Sequence, residues 1–214
     1  MKFTILTLFP KMFDSYLGES ILKRAHEKKK IVIEIIDIRK FTSDKHHTAD
    51  EKPYGGGPGM VMKAEPILKA FSKIKKSKGN QLVLLMAAGG KKFTSATARQ
   101  YAKKYSGIVL IAGHYEGIDE RVKKILKAEE LSIGDYVLTG GELPAMVVID
   151  AISRHIPGVL GHLESLEETR LGVGVPTYTR PEVFGYKGKK YTVPKELLSG
   201  NHAKIAVWRR KHKK

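Results

Sequence analysis

The 214-residue chain carries 39 lysines and arginines against 22 acids, for a formal net charge of +17, with 42% hydrophobic residues and no cysteine. That is enough apolar chain to bury a core; the lack of cysteine excludes disulfides, thiolate metal sites and a cysteine nucleophile, and agrees with a cytoplasmic setting. So large a positive field favours a polyanion, nucleic acid first, over the plainer reading that lysine runs such as "EKKK" are solvated faces.

The chain opens with "FTILTLF" followed by Pro10 and Lys11 and no small-residue cleavage site, which predicts a buried strand at 2–8 rather than a signal peptide. Continuous apolar runs predict further strands at 31–38, 81–87 and 107–113. Amphipathic stretches predict helices at 18–28, 64–76, 94–104, 117–127 and 142–155. The alternation implies an α/β domain over 1–157, its parallel sheet covered on both faces. The apolar stretch 143–160 is short and carries Asp150 and Arg154, so it does not read as a membrane span.

Three stretches of this domain carry chemistry. "PYGGGPGM" at 53–60 is neither helix nor central strand; its amides could cradle a phosphate or simply form a tight turn, and no Walker lysine follows. Upstream, His46 and His47 are adjacent and point apart, against a joint metal site. "AGHYEGIDERV" at 112–122 follows a predicted strand and opens a helix, where open α/β sheets place ligands. There Asp119 and Glu120 suit the helix dipole, and Glu116 is the better ligand contact. "LSIGDYVLTGGELPAM" at 131–146 joins an extended piece containing Gly134 to Gly140-Gly141 at a helix start, implying backbone folded closely around something flat. The three together describe a nucleotide-like pocket without naming its occupant.

Beyond Pro157 the pattern loses its period. Residues 158–175 read as a glycine-rich linker, and 176–214 as a short helical domain in which Gly200 ends one element and Asn201 caps a final helix. From Ala203 onward there are six lysines and arginines, no acids and one tryptophan. That composition suits phosphate contact better than simple complementation of a helix C-terminus.

"PYGGGPGM", "GHYEGIDERV", "SIGDYVLTGGELPAM", "SRHIPGVLGH", "YTRPE" and "LLSGNHAKIAVWR" occur in an order and spacing that resemble the bacterial tRNA (guanine-N1)-methyltransferases of the TrmD type, over nearly the whole chain. The resemblance implies a SPOUT methyltransferase fold with a deep C-terminal trefoil knot, a rare exception to the usual connection rules. It also implies a homodimer with active sites at the subunit interface, S-adenosylmethionine as cofactor, and tRNA as substrate, methylated at N1 of the guanosine immediately 3′ of the anticodon. Carried over by position, Gly113, Ile133, Gly134, Asp135, Tyr136, Val137 and Leu138 would enclose the cofactor, with Tyr115, Gly140 and Gly141 in the same pocket. Glu116 would lie near the sulfonium or near a divalent ion such as Mg2+.

Methylating guanine N1 needs a base for its proton, a cation for the charge growing on O6 and in-line placement of the methyl group. The resemblance implies that Arg154 is the cation and that the base is an aspartate in the loop after "GVLGH". Here that position is Thr169, and no aspartate follows Asp150. Glu168 is therefore the expected base, Glu167 the second choice, and a relative without a working base, binding tRNA only, is the rival. A SPOUT enzyme with another RNA target is a third reading. Two further departures are "MAAGGKK" at 86–92, where the family has a Ser-Pro-Gln-Gly-like turn, and a C-terminal domain shorter than the family's.

Overall fold

The apolar runs assemble as one parallel sheet because each presents alternate side chains to two different cores. The computed structural model describes residues 1–75, 78–161 and 174–213. Its strands are β1 (Lys2–Thr7), β2 (Val32–Asp37), a short antiparallel pair β3 (Asp50–Glu51) and β4 (Val61–Met62), then β5 (Gln81–Lys92), β6 (Gly107–Ile111) and β7 (Glu129–Ser132). The main sheet runs β2-β1-β6-β5-β7, all parallel. Phe3, Ile5, Leu84, Ile108 and Leu110 enter one core. Leu6, Leu85, Val109 and Ile111 enter the other. β6 lies between β1 and β5 with every residue buried, so it is the axis of the domain.

Helices close both faces, as the alternating pattern predicted. α1 (Asp14–Leu17), α2 (Ser20–Glu27), α4 (Ser95–Lys104) and α6 (Glu142–Ser153) supply Leu17, Leu22, Ala98 and Ile149 to the first core. α3 (Ala64–Ser72) and α5 (Glu120–Leu126) supply Ile67 and Val122 to the second. The predicted helices are present but shorter. The helix expected at 117–127 starts at Glu120 because Asp119 caps it, accepting a hydrogen bond from the Arg121 amide at 2.9 Å.

Three features departed from expectation. β7 reads "EELS", with two glutamates and no apolar run, so its alternation was too short to register. β5 runs to Lys92 instead of ending at 87, because Met86 and Lys91 both pair with Leu131 and the four residues between loop out. Gly90 permits this; a Cβ there would lie 2.6 Å from the Leu131 amide nitrogen. The third lies near the C-terminus. The chain divides into two compact units, Met1–Gly161 and His162–Lys214, and the second is not purely helical. It holds a hairpin of β8 (Val183–Tyr186) and β9 (Lys189–Thr192), turned at Lys187 and Gly188, both with positive φ. A lysine at the first turn position gives a weaker hairpin signal than Asn or Asp, so the turn carries little local mark in the sequence. α7 (Lys195–Leu198) and α8 (His202–Lys211) follow, the latter capped by Asn201 accepting from the Lys204 amide at 3.1 Å, as predicted. Trp208 is buried, stacked on His212 at 4.2 Å.

Two outcomes follow from this packing. Leu110→Ala should lower stability by about 2–5 kcal/mol, read as a shifted denaturant midpoint with an unchanged slope. Tyr101, whose hydroxyl donates to Glu129 at 3.3 Å, has its phenol pushed up to about 12, first by burial and then by the Glu129 charge. The folded chain therefore holds that proton more tightly than the unfolded one, so the contribution is complete below pH ~10 and lost as the pH rises towards ~12. Melting wild type and Tyr101→Phe at about pH 9 and about pH 11 should show the smaller alkaline loss in the variant.

Candidate functional site

Two loops at the carboxyl ends of β6 and β7, 112–119 and 133–141, together with Ala87 and Ala88 from the looped-out stretch within β5, line a cleft of about 350 Å³. That volume suits a nucleoside-sized ligand. Gly113, Tyr115, Glu116, Ile133, Gly134, Tyr136, Val137, Leu138, Gly140 and Gly141 all line it. Asp135 does not line it; its carboxylate accepts from Lys92 at 2.6 Å and is exposed.

The loops meet backbone to backbone. The Gly141 amide donates to the Gly113 carbonyl at 2.8 Å, and His114 forms an antiparallel bridge with Gly140. A Cβ on Gly141 would lie 2.8 Å from the Ala112 Cα and 2.9 Å from the Gly113 nitrogen. Those atoms are main chain and cannot move aside, so only glycine fits. Gly134 is bracketed by Ser132, whose hydroxyl donates to its carbonyl at 2.9 Å. A Cβ on Gly134 would meet the Tyr136 ring at 2.3 Å. Tyr115 holds φ +58°, a left-handed conformation costly for a non-glycine residue and concentrated at ligand sites.

The glycine-rich 53–60 segment does not line the cleft but backs the 112–119 loop. Met60 accepts from the Glu116 amide at 3.0 Å, the Met62 amide donates to Gly117 at 2.9 Å, and Met62 bridges Ile118 in parallel. Gly59, at φ +80°, leaves the space taken by the Glu116 carboxylate; a Cβ there would lie 2.5 Å from its Oε1. Gly55, Gly56 and Gly57 also have positive φ but face open space, so backbone conformation rather than packing requires them. Glu116, Glu120 and Glu130 give the cleft an acidic rim. Lys123 reaches Glu130 at 2.8 Å and Glu120 at 3.7 Å, and the hydrogen bond to Glu130 raises its ammonium pKa.

Arg154 caps the C-terminus of α6, half-buried, its amide donating to the Asp150 carbonyl at 3.1 Å, and does not line the cleft. Glu168, Glu167 and Thr169 lie outside the described residues. Sequence reasoning passed over His114 and Glu142. Both sit inside the stretches 112–122 and 131–146, where neither was singled out. In the structure Glu142 is 1% exposed, accepts from the Thr7 hydroxyl at 2.7 Å and faces His114 at 3.0 Å. Nothing local in the sequence announces a contact with a residue 135 positions away.

The sequence profile described as tRNA (Guanine-1)-methyltransferase TrmD matches residues 1–214. The chain belongs to this family. It is 52% identical over 214 residues to the tRNA (guanine-N(1)-)-methyltransferase of Carboxydothermus hydrogenoformans, covering 99% of this chain and 82% of that relative. It is 53% identical over 213 residues to the enzyme of the same name from Caldanaerobacter subterraneus subsp. tengcongensis, covering 98% and 86%. The methyltransferase from Geobacter sp. (strain M21) is 51% identical over 214 residues, covering 99% and 84%. A TrmD-family cleft made by backbone contact is intolerant of side chains where its loops touch. Gly141→Ala should weaken nucleoside-ligand binding by at least about tenfold, roughly the effect of one lost hydrogen bond plus overpacking. Gly89→Ala, where the methyl enters open space, should leave it within about twofold by calorimetric titration.

Proposed function

We propose that this protein transfers a methyl group from S-adenosylmethionine to N1 of the guanosine immediately 3′ of the anticodon in tRNA. The observation that carries the reading is the convergence of the 112–119 and 133–141 loops, through Gly113, Gly140 and Gly141, on one cleft in a TrmD-family chain. The cleft fits the cofactor by its chemistry. Close glycines expose peptide groups for the edges of an adenosine, Tyr136, Val137 and Leu138 offer apolar cover, and Glu116 complements a cation. When bound, the cofactor supplies an electrophilic methyl group on a positively charged sulfur.

The protein's own residues do the rest. Glu168 would take the N1 proton, leaving the nitrogen free to accept the methyl group. Arg154 balances the negative charge that deprotonation leaves on O6. Glu116 would be the carboxylate for any Mg2+ ion, although among the described residues no three imidazoles or carboxylates converge as a metal set. The SPOUT knot would involve the stretch from β7 into α6, where Gly141 packs against the backbone of Ala112.

A homodimer is supported by the surface that α6 shares with the N-terminal turns. Leu143 and Val147 are exposed there, and the Tyr16 hydroxyl donates to the Asp150 carboxylate beside them. An apolar strip of that kind suits a second copy of the chain. In the C-terminal unit, Lys204, Arg209, Arg210 and Lys211 on α8 and Lys187, Lys189 and Lys190 on the hairpin offer charge for the phosphates of RNA. No helix among the described residues is long and apolar enough to cross a membrane. A tRNA substrate supports a cytoplasmic setting.

The test is methyl transfer from labelled cofactor to two tRNA transcripts, with guanosine or adenosine 3′ of the anticodon, followed by nucleoside analysis. Only the guanosine form should accept label, as 1-methylguanosine. Glu168→Gln should lower kcat by about 100-fold or more, and Arg154→Ala by a similar factor. Thr169 at the family's aspartate position favours one rival, a tRNA-binding protein without chemistry; wild type that binds tRNA and transfers nothing would establish it.

A further inference from the structure

We propose that Glu142 is a positioning residue of the methyl-donor cleft, acting through His114 to hold the 112–119 loop against the 133–141 loop. The proposal rests on the reading of the cleft as the S-adenosylmethionine site. A carboxylate as buried as that of Glu142, 1% exposed, is retained only where specific partners offset its lost hydration. Three are present. The Thr7 hydroxyl at the end of β1 donates to Oε1 at 2.7 Å, and is itself fixed by accepting from the Phe9 amide at 2.9 Å. The residue opens α6, where Gly141 offers the helix no side-chain cap. Its Oε2 lies 3.0 Å from His114 Nε2.

That last contact spans the two loops. The His114 ring is held by Phe9 at 4.6 Å and Tyr115 at 5.7 Å. Gly140 lies against both partners, since a Cβ there would be 2.3 Å from His114 Nε2 and 2.5 Å from Glu142 Oε2. One residue away on each loop is the bond from the Gly141 amide to the Gly113 carbonyl. The pair is close enough for an ion pair, yet its angle falls short of a hydrogen bond, so both buried atoms keep unmet capacity. A purely structural pair in a packed interior would be fully bonded. This one, with His114 on the cleft wall and its atoms already 3.0 Å apart, needs only a change of angle to close a hydrogen bond, and that ties Glu142 to affinity more than to folding.

The experiment uses the full-length protein with Glu142→Gln, His114→Ala and the double variant. Calorimetry gives the affinity for S-adenosylmethionine, filter binding the affinity for tRNA, and hydrogen exchange the protection of the Gly141 amide without ligand. Each single variant should weaken cofactor binding by about tenfold, with tRNA binding within about twofold of wild type. The KM for cofactor should rise by more than kcat falls. The double variant should be no weaker than the worse single one, because both remove one contact. The Gly141 amide should exchange faster in all three. Should Glu142→Gln fail to fold, Thr7→Val, which keeps the carboxylate and removes its tether, should weaken cofactor binding by about threefold. Unchanged cofactor affinity in the single variants overturns the proposal, as do additive losses in the double variant. If wild type takes up no S-adenosylmethionine, the reading of the cleft falls instead, and unaltered Gly141 exchange would then overturn the clamp separately.

Discussion

The approach of Gly141 to the backbone of Ala112 and Gly113 is the contact on which the rest of the site depends. Two loops from different strands can share one wall only if their main chains touch, and main chains touch only where no Cβ intervenes. The 2.8 Å bond between Gly141 and Gly113 then fixes the start of α6 relative to the end of β6. From that join the positions of Gly140, His114 and Glu142 follow, and the cleft takes its shape between them.

The sheet makes the join possible. β6 is buried along its length between β1 and β5, so the 112–119 loop emerges from the most constrained strand of the domain. The looped-out residues 87–90 bring Ala87 and Ala88 to the cleft from the neighbouring strand. Rigid strands thus deliver conformationally demanding loops, including Tyr115 with its positive φ, to one point. This is the usual division of labour in open α/β sheets, with scaffold in the strands and ligand contact at their carboxyl ends.

Charge acts at a different scale. The excess of 17 positive charges is spread over the chain, while the cleft has an acidic rim of Glu116, Glu120 and Glu130. A polyanion is drawn to the protein as a whole, whereas a cationic small molecule is favoured at the cleft itself. RNA and a sulfonium cofactor therefore need not compete for the same electrostatics.

The family, the α/β class, the strands at 2–8, 31–38 and 107–113 and the two cleft loops within 112–122 and 131–146 were legible in the residues alone, whereas 53–60 does not line the cleft and Ala87 and Ala88 do. Long apolar runs and clustered glycines are local signals, set by neighbours a few positions apart. β7 was not legible, since "EELS" is extended only because β5 pairs with it. The β8–β9 hairpin was missed because Lys187-Gly188 is a weak turn signal. The role of Glu142 was hidden for the same reason as β7. Its partners Thr7 and His114 come from distant parts of the chain, and no local pattern encodes which groups folding will bring together. The sequence by itself determined the family, the α/β class and the two glycine-bearing loops that line the cleft. Only the tertiary structure decided which buried charge meets which imidazole, because that depends on contacts between backbones far apart in the chain.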